Sequence, residues 1–178
     1  MSGFEQALAI VLQYEGAYSN DAADPGNWTG GKAGDGELRG TKFGISAAAY
    51  PEEDIATLSR ERAASLYRRD YWEPVSGDAL PLPLALLVFD AAVNNGVSRS
   101  CIWLQRAVGA HADGLLGPVT FAAVARAVET RGIDSVCADF HALRLVFMTE
   151  LPTWPHFSAG WARRLSLLPY QAAELTAK

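Results

Sequence analysis

The segment from Leu84 to Asn95, LALLVFDAAVNN, is apolar almost all the way round a helix. A helix with no face to give to water has to be surrounded by other elements. That demand makes it the centre of a helical core, with the remaining helices as its wrapping. Pro81 and Pro83 precede it and Gly96 ends it. Its polar residues Asp90 and Asn94 stand four apart, on one face. Buried polar groups are hydrogen-bonded, so the pair either satisfies itself or a neighbouring backbone, or it lines a cleft.

The wrapping is legible as amphipathic helices. The first spans Gly3 to Glu15 with Phe4, Ala7, Leu8 and Val11 as its stripe. A second begins after Ser59 and carries Ala63, Leu66, Tyr67 and Tyr71. A fourth covers Ser100 to Val108, stopped by Gly109. A fifth opens at Pro118, a favoured first-turn position, with Phe121, Val124, Ala125 and Val128 inside. A sixth covers Ile133 to Leu151, ended by Pro152 and Pro155, and a short last helix follows Gly160. Between the first two helices, residues 16–43 are rich in Gly, Asn and Asp and have no helical period. A small β-ribbon fits around Glu37 to Gly44. The expected fold class is mostly α, with a long loop or small ribbon after the first helix. At 178 residues and 49% hydrophobic, the chain fits one globular domain.

Glu15 closes the first helix on its apolar stripe, four residues after Val11. Ionising a carboxyl among apolar groups is costly. A carboxyl that keeps its proton at the lip of a pocket is what general-acid catalysis at neutral pH requires. Gly16 follows and can end the helix in a left-handed turn. The irregular segment then supplies a second carboxylate, Asp24, and further on Thr41. Asp24 precedes Pro25-Gly26 and so also suits a plain turn; Asp21 and Asp35 are competitors of the same type. Tyr18, three residues after Glu15, is a candidate sugar-facing ring. Trp72, with Tyr71, Trp154, Phe157 and Trp161, is either a stacking platform or core.

Taken together, YEGAYSNDAADPGN and GTKFGIS resemble the signature of glycoside hydrolase family 108, muramidases with a Glu-Gly-Gly-Tyr motif related to phage-type lysozymes. YPEEDIATLSRERAASLYRRDYW, FDAAVNNG, LQRAVG, DGLLGPVTFAAV and FSAGWARR continue the resemblance over nearly the whole chain. Ala17 replaces the second glycine of the motif, and WTGGKAGDGEL lengthens the loop between Asp24 and Thr41. The resemblance implies a lysozyme-like α+β fold. It implies a catalytic region over residues 1–97 and a helical part over 98–178 similar to peptidoglycan-binding regions, packed into the same globule. It gives Glu15 the place of the general acid. Asp24 takes that of the second carboxylate, and Thr41 that of a residue holding the attacking water. Tyr18, Asp90, Asn94 and Trp72 are then the candidates for substrate binding. The implied activity is cleavage of the β-1,4 bond between N-acetylmuramic acid and N-acetylglucosamine in bacterial peptidoglycan, with inversion. The alternatives are a lytic transglycosylase or a non-catalytic wall-binding or assembly protein on the same fold.

Composition narrows the other classes. A net charge of -5 argues against nucleic-acid binding. No apolar run reaches the roughly 18 residues of a membrane span, so no membrane insertion is expected. Cys101 and Cys137 lie in apolar helical stretches and are expected to be reduced core residues. His111, His141 and His156 lack any short metal-ligand spacing, so neither metal nor cofactor is expected. Ser2 and Glu5 form a capping box at the N-terminus rather than a signal peptide. The expectation is a monomer made in the cytoplasm without a leader, reaching the wall through a holin-type route as phage endolysins do, or assisting bacterial secretion.

Overall fold

The structure is a computed structural model that describes residues 1–175; the side chains of His156 and Phe157 are outside the description. The described residues form seven α-helices and one two-stranded ribbon, the mostly helical class expected. The chain divides into two compact units, one comprising Leu8–Arg68 and the other Met1–Ala7 with the chain from Arg69 onward.

The larger unit is built on α3 (Leu82–Asn95), where ten consecutive residues from Pro83 to Ala92 are buried. Around it pack α4 (Val97–Ala107), α6 (Ile133–Thr149) and α7 (Trp154–Glu174), with α5 (Pro118–Arg131) against α6. At its other end Phe4, Trp72 and Phe89 form an edge-to-face trio with ring centroids 5.5–6.1 Å apart. Such pairs add about 0.5–1.5 kcal/mol each beyond the area they bury. A methyl group at Gly77 would lie 2.4 Å from the Trp72 ring, so this corner accepts only glycine.

Two of the expected helix ends differ. The α-helical part of α1 runs Gly3–Val11, after its Ser2–Glu5 capping box, with Ser2 N to Glu5 Oε2 at 2.8 Å and Glu5 N to Ser2 Oγ at 3.2 Å. Leu12–Tyr14 then tighten into a 3₁₀ turn, and Glu15 is extended at φ -94°, ψ 138°. The tightened turn satisfies the last carbonyls with i to i+3 bonds, so no left-handed glycine is needed, and Gly16 is not among the positive-φ residues. At the other end, α7 begins at Trp154 and passes through Gly160. Pro155 falls in its first turn, where a missing N–H costs nothing; it starts the helix instead of breaking one.

In the smaller unit, β1 (Thr41–Lys42) and β2 (Ile45–Ser46) pair antiparallel, Thr41 opposite Ser46 and Lys42 opposite Ile45. β1 falls inside the range expected for the ribbon, Glu37 to Gly44, and β2 lies just beyond it. α2 (Arg60–Tyr67) is capped by Ser59, whose Oγ accepts from Arg62 N at 3.1 Å. Its last residue, Tyr67, is buried against the ribbon's turn, where its hydroxyl donates to the Phe43 carbonyl at 2.9 Å.

Candidate active site

Glu15, Tyr18, Asp24 and Thr41 fall in the smaller unit; Trp72, Asp90 and Asn94 fall in the larger one. The ribbon turn organises the first group. Phe43 and Gly44 form its two-residue loop, both with positive φ, 53° and 73°. That is the signature of the mirror-image turn whose twist matches the strands it joins. Phe43 is a bulky residue in the left-handed region, a position that costs about 1–2 kcal/mol.

Half-buried Glu15 meets this turn directly. A methyl group at Gly44 would lie 2.6 Å from Glu15 Oε2 and 2.4 Å from Tyr67 Oη. The absence of a side chain at Gly44 therefore makes the space in which the carboxyl and the phenol meet.

Thr41 begins β1 and pairs with Ser19 through Thr41 N to Ser19 O at 2.8 Å and Ser19 N to Thr41 O at 2.9 Å. Its hydroxyl donates to Asn27 Oδ1 at 2.8 Å. With the proton spent there, the hydroxyl oxygen can only accept further bonds. Asn27, not foreseen from the sequence, is fully buried and joins the segment together. Its Nδ2 donates to Asp21 O at 2.9 Å, and its carbonyl accepts from Arg39 N and Gly40 N. The only signal for it was an Asn directly after Pro25-Gly26.

Asp24 caps the 3₁₀ turn Pro25–Asn27, its Oδ1 accepting from Gly26 N at 2.9 Å. The residue is exposed, and the turn role is present. Asp21 caps Ala23 N in the same way, at 2.9 Å. The inserted WTGGKAGDGEL folds back on itself: Trp28 pairs with Leu38, and Thr29 N donates to Glu37 O at 3.0 Å. It leaves at Asn27 and returns to the Asn27 carbonyl, which accepts from Arg39 N and Gly40 N. Tyr18 is 42% exposed, with its ring over Gly40 and its hydroxyl donating to Arg39 O at 3.4 Å.

Two of the substrate-binding expectations in the larger unit, Trp72 and Asp90, need correction, because both side chains are buried. Trp72 is 1% exposed and packs in T-shaped contacts with Phe4 and Phe89, so its ring is core and not open to a sugar. Asp90 is wholly buried and bound by two guanidinium groups. Arg144 Nη1 lies 2.6 Å from its Oδ2 and Arg164 Nη2 2.5 Å from its Oδ1. Burial pushes this carboxyl up, but the two cations outweigh it and hold it below the usual carboxylate range. Asn94 donates to the Asp90 main-chain carbonyl at 2.8 Å, one turn back. It is exposed, beside a cavity of about 80 Å³ that Arg144, Trp161 and Arg164 also line. Phe157 lies outside the described side chains.

Burial pushes the Cys101 thiol up to about 11, and burial with the Asp134 charge pushes Cys137 up to about 12. Both remain thiols at neutral pH and are poor nucleophiles. Among the described residues no group of three or more His, Cys, Asp or Glu side chains is placed to hold a metal ion.

A family model described as glycosyl hydrolase 108 matches residues 8–96. The chain belongs to the glycosyl hydrolase 108 family. As a member of that family it is a glycoside hydrolase, and the matched segment contains Glu15, Tyr18, Asp24 and Thr41. A solved structure titled "Structure of Brucella abortus SagA" is 29% identical with a TM-score of 0.77, over 96% of this chain and 94% of that one. The likeness to SagA therefore extends beyond the family segment, through α4 to α7. No curated protein matches the chain. No helix among the described residues is long and apolar enough to cross a membrane.

Proposed function

We propose that this glycosyl hydrolase 108 member is an N-acetylmuramidase, cutting the β-1,4 bond between N-acetylmuramic acid and N-acetylglucosamine in bacterial peptidoglycan. Glu15 is the general acid that protonates the departing glycosidic oxygen. What carries this reading is the placement of its carboxyl against the Gly44 turn, two residues from the end of β1 and three from Thr41, inside the family-matched segment. Exposed Asp24 is the second carboxylate. Thr41, whose own proton is committed to Asn27, accepts from the attacking water and so fixes which way its lone pair points. Water held by a second carboxylate and a threonine, on the far side of the bond from the acid, gives inversion. That geometry calls for carboxyl groups roughly 6.5–9.5 Å apart, not the roughly 5 Å of a retaining pair.

Tyr18 is the sugar-stacking ring of this site. The helical part from residue 98 to the C-terminus is a wall-contacting region. Its turn at DGLLGPVT is held by buried Gln105, which donates to Asp113 Oδ1 at 2.7 Å and accepts from Gly114 N at 2.8 Å.

Purified peptidoglycan, digested and analysed by mass spectrometry, tests the assignment. New reducing ends at N-acetylmuramic acid are expected. Anhydro-sugar products would mark a lytic transglycosylase instead, and intact glycan would mark a wall-binding protein.

A further inference from the structure

The proposed chemistry lies in the smaller unit and leaves a groove of the larger one without a role. It runs between α4 and α6, with a volume of about 540 Å³. Past Arg106, Ala107 and Asp139 it continues into a second hollow of about 490 Å³ against α5. Its floor is buried Trp103, and its wall is half-buried Leu143 and Phe147 with Val146, which is 58% exposed. A space of this size takes a small molecule or a short peptide.

The charges are sorted along the groove. Arg131 donates to the Ala107 carbonyl at 2.8 Å and pairs with Asp139. Trp103 and Arg99, further back on α4, meet Phe147. The two helices are therefore antiparallel, with Arg106 at the Asp139 end. Asp139 is neutralised by Arg131. Arg106 and Arg126 are exposed, line the second hollow together, and have no ion-pair or side-chain hydrogen-bond partner among the described residues. Exposed Glu150 stands at the other end, about 16 Å from Asp139 along α6.

A fitting occupant is extended, with carboxylates for the two arginines, a cation for Glu150 and small apolar groups between. Peptidoglycan contains one such part, the stem peptide. Its γ-linked D-glutamate keeps an α-carboxylate, its last D-alanine has another, its third residue bears a side-chain amine, and its alanines present methyl groups. Four extended residues span about 13–14 Å, within the length of the groove. The glycan lacks these charges, since the lactyl carboxyl of muramic acid is consumed in the bond to the stem. We infer that the α4–α6 groove binds the peptidoglycan stem peptide, with Arg106 and Arg126 on its carboxylates and Glu150 on the amine of its third residue. This rests on peptidoglycan being the polymer that the chain acts on. Guanidinium–carboxylate bonds add geometric specificity, so the groove discriminates among stems. Amidation of the D-glutamate removes an anion, and a cross-link removes the charge of the amine.

The test is isothermal titration calorimetry of the full chain with the free tetrapeptide L-alanyl-γ-D-glutamyl-meso-diaminopimelyl-D-alanine. Its Kd is expected to rise roughly three- to ten-fold in Arg106→Gln, and further in the double variant with Arg126→Gln. The tetrapeptide with an amidated D-glutamate should lose affinity for the parent by a similar factor. Both arginines are exposed, so their replacement leaves the core intact. A parent that does not bind the tetrapeptide, or a double variant with parental Kd, overturns the inference. Displacement of the tetrapeptide by an N-acetylglucosamine tetramer also overturns it and marks a sugar site instead. Mass spectrometry of digested peptidoglycan separates this from the proposed activity. A parent that cleaves peptidoglycan but ignores the tetrapeptide overturns the inference alone. A parent that binds the tetrapeptide through Arg106 and leaves the glycan intact overturns the muramidase reading and bears out the groove.

Discussion

The site depends on a few side chains whose hydrogen bonds are already allotted. Asn27 is the clearest: its buried side-chain amide ties Asp21 to Thr41, and its main-chain carbonyl receives the returning end of the inserted loop. Asn27→Ala removes the side-chain partners of the part-buried Asp21 carbonyl and Thr41 hydroxyl and leaves a cavity in place of a buried amide, at about 1–3 kcal/mol. A drop of that size in urea denaturation, with most activity lost, is the expected outcome; parental stability would contradict the network. Thr41→Val removes the acceptor for water while keeping the shape, and kcat should fall roughly 10–100-fold; an unchanged kcat would remove Thr41 from the mechanism. Glu15 was legible as a candidate because it follows Val11 at the spacing of an apolar stripe, although the helix itself ends before it. Asn27 was not, because a loop has no period against which a buried polar residue is visible. Trp72 and Asp90 were read as possible ligand contacts because composition does not distinguish a ring or carboxylate facing solvent from one used inside.

At the scale of elements, the ribbon turn holds most of the functional geometry in two residues. Phe43 is a poor occupant of a left-handed position, and Asn-Gly is the preferred sequence for this turn. Phe43→Asn keeps the carbonyl that Tyr67 needs and relieves the backbone. It is expected to raise stability by about 1 kcal/mol, seen as a higher urea midpoint; a lower midpoint would show that the Lys42–Phe43 contact, at 5.5 Å, outweighs the strain. Six helices were legible close to their observed ranges, because each has a stripe or a cap that the solvent boundary dictates. The ends of the first and the start of the last were misjudged where local rules compete. A 3₁₀ turn replaced a glycine stop after Val11, and Pro155 acted as a helix starter. The ribbon was placed only approximately, since two-residue strands are set by their turn and by Ser19, not by any alternation of their own.

For the whole molecule, the sequence's demand that α3 be enclosed is met, and it brings an electrostatic consequence. The Asp90–Arg144–Arg164 cluster sits in the core of the larger unit. Asp90's folded value lies below its unfolded one, so its contribution is full above about pH 4 and is lost as pH falls through the folded value. His141 is held below its usual range by burial first and by Arg144 second. The unfolded chain therefore takes up a proton there before the folded one does, and stability declines from about pH 6.5 downward. Urea denaturation against pH should show both declines. His141→Gln should abolish the upper one, and a curve flat from pH 7 to 5 in the parent would contradict it. Asp90→Ala, which strands two arginines, should cost about 3–5 kcal/mol at neutral pH.

The central claim is that Glu15 protonates a glycosidic oxygen of peptidoglycan, and it is tested most directly by mass spectrometry of purified peptidoglycan digested by the parent and by Glu15→Gln. The account predicts reducing N-acetylmuramic acid ends from the parent and a loss of roughly 100- to 10,000-fold in the variant. The same products at the same rate from Glu15→Gln would contradict it.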